Sequence, residues 1–410
     1  MVTLSKAYLL VVFVFACSGI AGTPLSSDIN SELNELLSAE LTDFQNETGL
    51  SQGGMAVFVS TPDEDYFGSA GIGSDVSEGF HFRGASTTKT FTAAAVMFLY
   101  SQGLLEIDDS VADVIPGRDI PYLPESSEYD IPFKNQITIR QLLGHRAGVF
   151  DVSNDCIPET AEEPYAGQNY IEYIRDVEGD NEHTFTFDEL VGVVADNDLS
   201  YWAPGAGFHY SNTGYAMLGK IIERVSGMSY REYIRTTFTE PLNLMDTSFP
   251  ETGSDTCIPE PFIDGYTLFD GEMYETTQDN MSPHVAEGNV ITTFSDLSRW
   301  IKLLLSGEAG LDTEVVQEMM NVQPTGEHHV WYGLGITYTS GLGFGHNGAH
   351  IGYMTILRYD PADSVTVVMM ASFLAPEYFQ RQGDMLIELA LKAKEACGYD
   401  VCRDEQPDQN

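Results

Sequence analysis

Basic side chains are scarce in this chain. Its 410 residues hold 19 lysines and arginines against 62 aspartates and glutamates, a formal charge of −43. Such a surface repels nucleic acid and anionic membranes, and no nucleic-acid partner is expected. The excess bears on solubility rather than on fold, but it makes each lysine more informative. Long apolar runs are lacking too: beyond the N-terminal segment, none reaches the roughly 20 residues needed to cross a bilayer, so no stable membrane span is expected. Cysteine is sparse, five in all, at spacings that resemble no zinc site. Internal repeats and low-complexity linkers are also absent. What is present, 43% hydrophobic residues, is the content of a folded globular protein.

The exception among apolar runs is Ala7 to Cys17, preceded by Lys6 and followed by small residues, the pattern of an export leader cleaved near Ala21 or Gly22. Residues 1–21 are therefore read as a signal peptide and the mature chain as secreted or periplasmic. A lipid anchor on Cys17 is the lesser alternative, because Phe15 stands where lipoprotein signals carry a smaller residue. Removal of the leader leaves Cys156, Cys257, Cys397 and Cys402 in an oxidising compartment. Two bridges are expected, Cys397 with Cys402 around G-Y-D-V and Cys156 with Cys257; four free thiols are the alternative.

The spacing of Leu33, Leu36, Leu37, Leu41 and Phe44 predicts an amphipathic helix over Ser27 to Phe44. G-G-M-A-V-F-V-S then reads as a buried strand, with a second around Asp65 to Ile72. After Ser86, the run F-T-A-A-A-V-M-F-L-Y-S-Q-G has no proline or internal glycine and predicts a buried helix ending at Gly103. From Gly103 to Pro283 helices alternate with turn-rich loops, among them an acidic insertion at 151–182. Strand patterns return as Y-G-L-G-I-T-Y-T, Y-M-T-I-L-R-Y-D and S-V-T-V-V-M-M-A-S, before a closing helix from Glu377 to Ala396. This order predicts an α/β (α+β) fold, with a layer built from both chain ends, 28–85 and 284–396. A mostly helical middle, 86–283, and a tail, 397–410, complete the division.

Three short patterns are candidates for chemistry. G-L-S-Q-G, Gly49 to Gly53, has the form of a nucleophile elbow, but a helix precedes it and a strand follows, the reverse of that motif's order; it reads as a turn. H-N-G-A-H, His346 to His350, has a spacing that would suit zinc on a helix, yet its nearby glycines argue against a helix, and no metal is expected. Ser86-Thr87-Thr88-Lys89 is the one Ser-x-x-Lys of the chain. Three residues on a helix set both side chains on one face, within reach of each other. Chemistry would need a lysine that is neutral when it acts, against an ordinary pKa of about 10.4; burial or a nearby cation or phenol supplies such a shift. The alternative is an N-cap serine beside a surface lysine.

Company decides between them. Tyr210-Ser211-Asn212 follows about 120 residues on, before a helix pattern, and His346-Asn347-Gly348 lies at the edge of a strand pattern. Together these resemble the three motifs of the serine β-lactamase and penicillin-binding-protein superfamily: Ser-x-x-Lys, Tyr-x-Asn, and His-x-Gly in place of Lys-Thr-Gly. The chain looks most like the group of class C β-lactamases, D-alanyl-D-alanine carboxypeptidases, D-aminopeptidases and related esterases. I-T-I-R-Q-L-L-G-H-R-A-G-V, P-L-N-L-M-D-T-S-F and A-E-G-N-V-I-T-T-F-S-D-L-S-R-W extend the resemblance over about Gly53 to Ala371. Departures are Gly144 and Arg146, where small hydroxyl residues are commoner, and Glu287 and Asn289, which replace glycines.

The resemblance implies an antiparallel sheet flanked by helices and an acyl-enzyme on Ser86. Lys89 and Tyr210 would jointly handle the proton, and Asn212 would bind the substrate's amide carbonyl. Backbone N–H groups of Ser86 and Ala349 would form the oxyanion hole. His346 and Asn347 would line the substrate site, His346 where β-lactamases carry a lysine for the substrate carboxylate, and Gly348 would leave room for substrate along the strand. A small peptide or β-lactam-like substrate is implied, and no cofactor. The reading that follows is a D-alanyl-D-alanine carboxypeptidase or D-amino-acid peptidase, with a β-lactamase, an esterase or a silent peptide binder as alternatives.

Overall fold

The computed structural model describes residues 29–326 and 330–402. The expected signal peptide, Cys17 with it, and the end of the tail lie outside the described residues. The strands are β1 (Met55–Ser60), β2 (Asp65–Ala70), β3 (His81–Ala85), β4 (Tyr266–Phe269), β5 (Glu272–Glu275), β6 (Val290–Thr293) and β7 (Gln323–Pro324). After them come β8 (Trp331–Tyr332), β9 (Thr337–Thr339), β10 (Gly343–His350), β11 (Tyr353–Asp360), β12 (Val365–Ala371) and β13 (Phe373–Leu374). The helices are α1 (Ile29–Thr48), α2 (Thr88–Ser101), α3 (Ile139–Leu143), α4 (Tyr170–Glu172) and α5 (Phe187–Asp196). They continue as α6 (Asn212–Ser226), α7 (Tyr230–Ile234), α8 (Phe294–Leu305), α9 (Thr313–Met320) and α10 (Phe379–Ala396).

Both chain ends build one eight-stranded antiparallel sheet, in the order β2-β1-β12-β11-β10-β9-β8-β7. Its central strands β11 and β12 are buried at every residue because both faces are covered. Alternation along each strand sends Met55, Val57, Ile356, Val367 and Met369 towards α1 and α10, where Leu33, Leu37 and Leu386 meet them. The intervening Ala56, Phe58, Leu357, Val368 and Met370 face the other way, into the large core shared with α2 and α8. There Phe91 of α2 stacks on Trp300 of α8 with ring centroids 4.0 Å apart. The indole N–H of Trp300 donates to Thr90 Oγ1 at 2.8 Å, so this buried polar atom is satisfied. α2 is thereby held on both sides, and its first turn is the floor of the site.

Two parts of the middle region differ from the sequence reading. β4 and β5 form a hairpin around Asp270 and Gly271, both at positive φ (51° and 77°), and β13 adds to β4 in parallel. The Asp-Gly pair is the signal of a tight hairpin turn. The acidic insertion is less loop-like than its composition suggests: Tyr165, Tyr170, Ile171 and Ile174 are buried in the main core. G-L-S-Q-G is the turn between α1 and β1, with Gly49 at φ 82° and Gly53 at φ 85°.

The expected disulfides do not form, since Cys156, Cys257 and Cys397 are free thiols. Cys257 faces solvent. Cys397 instead packs its side chain against the α1/α10 core, where burial pushes its thiol up to about 12.

Candidate active site

A strand-to-helix elbow presents Ser86. β3 ends at Ala85, which has φ 50°, a left-handed conformation that costs a non-glycine residue roughly 1–2 kcal/mol. Hydroxyls hold the elbow: Thr87 Oγ1 donates to the Gly84 carbonyl at 2.9 Å and Thr88 Oγ1 to the Ala85 carbonyl at 2.8 Å. Thr88 Oγ1 also accepts the Val290 N–H at 2.9 Å, which ties the elbow to β6. Ser86 is thus half-buried, just ahead of α2, and Lys89 lies one turn into the helix with no solvent exposure.

Lys89 Nζ lies 3.1 Å from Ser86 Oγ, 2.8 Å from Asn212 Oδ1, 2.8 Å from the Glu287 carbonyl and 3.2 Å from Glu287 Oε2. It also sits over the Tyr210 ring, 4.7 Å from its centroid. Burial holds the Tyr210 phenol well above the ordinary tyrosine range, with the Ser86 hydroxyl pulling the other way. Burial lowers Lys89 below the ordinary lysine value, while the Glu287 carboxylate opposes the drop. Ser86, Lys89, Tyr210 and Asn212 therefore meet as the sequence predicts. An N-cap role for Ser86 is ruled out, because Thr87 occupies that position.

Tyr210 and Asn212 are placed by the start of α6. Ser211 caps the helix, its side chain accepting the Gly214 N–H at 3.2 Å. The buried Asp151 carboxylate takes the Asn212 N–H at 3.1 Å and both Ser153 N–H (3.1 Å) and Asn154 N–H (3.3 Å). Burial raises Asp151 to about 7 despite these donors.

A second network comes in from the other side. The Ser211 N–H donates to His145 Nδ1 at 3.0 Å, so His145 carries its proton on Nε2, which faces Tyr332 Oη at 3.1 Å. Tyr332 Oη then donates to His346 Nε2 at 2.9 Å, and His346 Nδ1–H to the Asn347 carbonyl at 2.5 Å. Every proton in this chain is assigned, with both imidazoles neutral. Burial, and next the Lys89 charge, push His346 down to about 3.

That arrangement corrects the reading of the third motif in three ways. His346 is a neutral, 3% exposed link in a network rather than a cation awaiting a carboxylate. Asn347 pairs with Ile356, so its side chain shares the α1/α10 face of the sheet, away from Ser86, where Oδ1 accepts from Arg358 Nη2 at 2.6 Å. Gly348 is glycine for internal packing: a Cβ there would lie 2.3 Å from the Gly84 carbonyl oxygen and 3.1 Å from Ser86 N. Ala349 packs its methyl against the α1/α10 core, so its backbone is the part left for the site. β9 pairs with β10 only over Gly343–Gly345, and beyond that Gly348 lies against the Ser86 segment.

Sequence reasoning missed His145, Asp151, His284 and Tyr332 as parts of the site, and took Glu287 only as a change in the pocket wall. Ala85, His145 and Ala286 are three of the eight non-glycine residues at positive φ among the described residues, and all border the site. Backbone strain of this kind gathers at functional sites, and no residue type announces it in sequence.

A hydroxyl, a buried amine and a phenol brought together at the head of a helix are the signature of the serine hydrolases that carry Ser-x-x-Lys. The chain belongs to the Beta-lactamase family, whose model matches residues 45–392. It is 27% identical over 303 residues to protein flp of Staphylococcus aureus (strain NCTC 8325 / PS 47), which covers 72% of this chain and 53% of flp. The chain thus spans about half the length of that relative. Among solved structures it resembles a D-stereospecific amidohydrolase from Streptomyces sp. (TM-score 0.71, 23% identity, 90% of this chain and 99% of that one). It also resembles the D-amino acid amidase of Ochrobactrum anthropi SV3 (TM-score 0.70, 22% identity, 90% and 99%). At such identities the likeness shows the fold.

Proposed function

We propose that this chain is a serine amidohydrolase that cleaves D-amino-acid amides or short peptides through an acyl-enzyme on Ser86. The observation that carries the reading is the contact set of Lys89 Nζ, 3.1 Å from Ser86 Oγ and shielded from water. As Ser86 Oγ bonds to the substrate carbonyl carbon, its proton passes to the Lys89–Tyr210 pair and on to the leaving nitrogen. The N–H groups of Ser86 and Ala349 would hold the developing oxyanion. Asn212 turns Oδ1 to Lys89, which leaves its Nδ2 to donate to the substrate's amide carbonyl.

The neutral, hydrogen-bonded His346 favours an amidase or aminopeptidase over a D-alanyl-D-alanine carboxypeptidase or a β-lactamase, because that position offers no positive charge to a substrate carboxylate. The names of the two structural neighbours, a D-stereospecific amidohydrolase and a D-amino acid amidase, support the same choice and the D preference. Export through the leader at 1–21 belongs to the proposal, and N-terminal sequencing of the mature protein tests it.

The test of substrate class is a panel: a D-phenylalanine anilide, its L enantiomer, an N-acyl-D-Ala-D-Ala peptide and a penicillin. The expected order of kcat/KM places the D-anilide first, with no turnover by Ser86→Ala. Faster release of the terminal D-alanine would restore the carboxypeptidase reading.

A further inference from the structure

A carboxylate lies against Lys89 that the acylation chemistry does not require. Glu287 is 3% exposed; Oε2 is 3.2 Å from Lys89 Nζ and Oε1 is 2.6 Å from His284 Nδ1. An ammonium has three N–H groups to give, and Asn212 Oδ1, the Glu287 carbonyl and Glu287 Oε2 accept all three. No lone pair then remains for the Ser86 proton. A neutral amine would satisfy the first two acceptors and turn its lone pair to Ser86 Oγ at 3.1 Å. Glu287 therefore favours the protonation state of Lys89 that cannot act as a base.

We propose that Glu287 is a positioning residue that holds Lys89 as an ammonium, and that Glu287 with His284 sets the pH above which Lys89 becomes the base for Ser86. The proposal rests on the reading of Ser86 as nucleophile. In the activating step an N–H bond of Lys89 breaks, the proton goes to hydroxide or buffer base, and the electron pair stays on Nζ. That pair then takes the Ser86 proton as the Oγ–carbon bond forms.

The surroundings agree on the direction. Burial opposes the charge on Lys89, while Glu287 and the more distant Asp151 favour it. His145 and His346 face it as neutral rings, and the Tyr210 and Tyr215 rings lie 4.7 and 5.4 Å away. Burial alone would raise Glu287, but Lys89 and then His284 outweigh it and hold the carboxyl below the ordinary glutamate range. His284 in turn meets the His350 ring at 5.0 Å between centroids, His350 Nε2 bonds Asp279 at 2.8 Å, and Arg175 of the acidic insertion bonds Asp279 at 2.6 Å. Glu287 thus has one histidine to share its charge, and that histidine belongs to a line that ends on an arginine.

The test is the pH profile of kcat/KM on a D-amino-acid nitroanilide for the parent, Glu287→Gln, Glu287→Asp and His284→Ala. Loss of the carboxylate removes an opposite charge close to Lys89, worth about one pH unit or more. The acid limb of Glu287→Gln should move down by that amount, Glu287→Asp should restore the parent position in part, and His284→Ala should move the limb up. A Lys89 Nζ or Cε chemical-shift titration by NMR reads the same shift without turnover and covers a variant that binds substrate badly. An unmoved or alkaline-shifted limb in Glu287→Gln, with Lys89 titrating as in the parent, overturns the proposal. A uniform loss of rate at all pH values would mean that Glu287 acts only as structural packing, and also overturns it. Retained activity in Ser86→Ala would instead overturn the underlying reading, so the two failures are distinguishable.

Discussion

Gly348→Ala is the sharpest test of how the third motif works. The new methyl would lie 2.3 Å from the Gly84 carbonyl oxygen, 3.1 Å from Ala85 Cβ and 3.1 Å from Ser86 N. Real Cβ atoms essentially never come within 3.0 Å of another heavy atom in this way, so β10 and the Ser86 elbow must separate by roughly 0.7 Å or more. Neither side yields easily: β10 is paired along its length with β11, and the elbow is fixed by the Thr87 and Thr88 hydroxyls. Overpacking of this size costs about 1–3 kcal/mol of stability. A displacement approaching 1 Å between nucleophile and oxyanion donors costs on the order of 100-fold in rate. Urea unfolding would read the first and single-turnover acylation the second. If Gly348→Ala acylates at the parent rate with parent stability, the close packing of β10 on the Ser86 segment is not what positions the nucleophile.

Lys89→Met leaves the buried Glu287 carboxylate without its cation and should destabilise the protein by about 3 kcal/mol or more; adding Glu287→Gln should recover most of that loss, as a double-mutant cycle in urea would show. Tyr332→Phe removes the hydroxyl between His145 and His346 and leaves two buried ring nitrogens unpaired, for an expected loss of about 2 kcal/mol by thermal or urea unfolding. His346 is held near 3 when folded, against an unfolded value of about 6.5. As pH falls below about 6.5 the unfolded chain takes up a proton that the folded chain refuses. The stability margin of the parent over His346→Gln should therefore shrink by about 1.4 kcal/mol per pH unit between pH 6.5 and 4.5, and a constant margin would contradict the neutral assignment.

Much of the architecture was legible because it follows from periodicity. Leu33, Leu37, Leu41 and Phe44 mark the buried stripe of α1, and β11 and β12 are largely apolar segments, buried on both faces as a doubly covered sheet requires. Ser86 and Lys89 were legible because helical spacing brings residues i and i+3 together, a local rule. The rest of the site is assembled over long separations: Asn212 reaches Lys89 across 123 residues and Glu287 across 198. No local pattern encodes such meetings, and here a resemblance carried them. The resemblance misled where a motif position was read without its face. Asn347 sits beside Gly348 in sequence, and strand alternation sends its side chain through to the opposite side of the sheet. The cysteines misled for a similar reason, since nearness in sequence took no account of Cys397 packing into the core as an apolar group.

The central claim is that Ser86 forms a covalent acyl-enzyme, and intact-mass measurement during turnover tests it most directly. The purified protein would be incubated with a slowly deacylated D-amino-acid ester or a penicillin, quenched in acid at intervals, and digested to map any adduct. The account predicts a single added acyl group on the peptide that contains Ser86, absent from Ser86→Ala and slowed in Lys89→Met. Substrate consumed by the parent with no adduct at any time, or an adduct on another residue that survives Ser86→Ala, would contradict it.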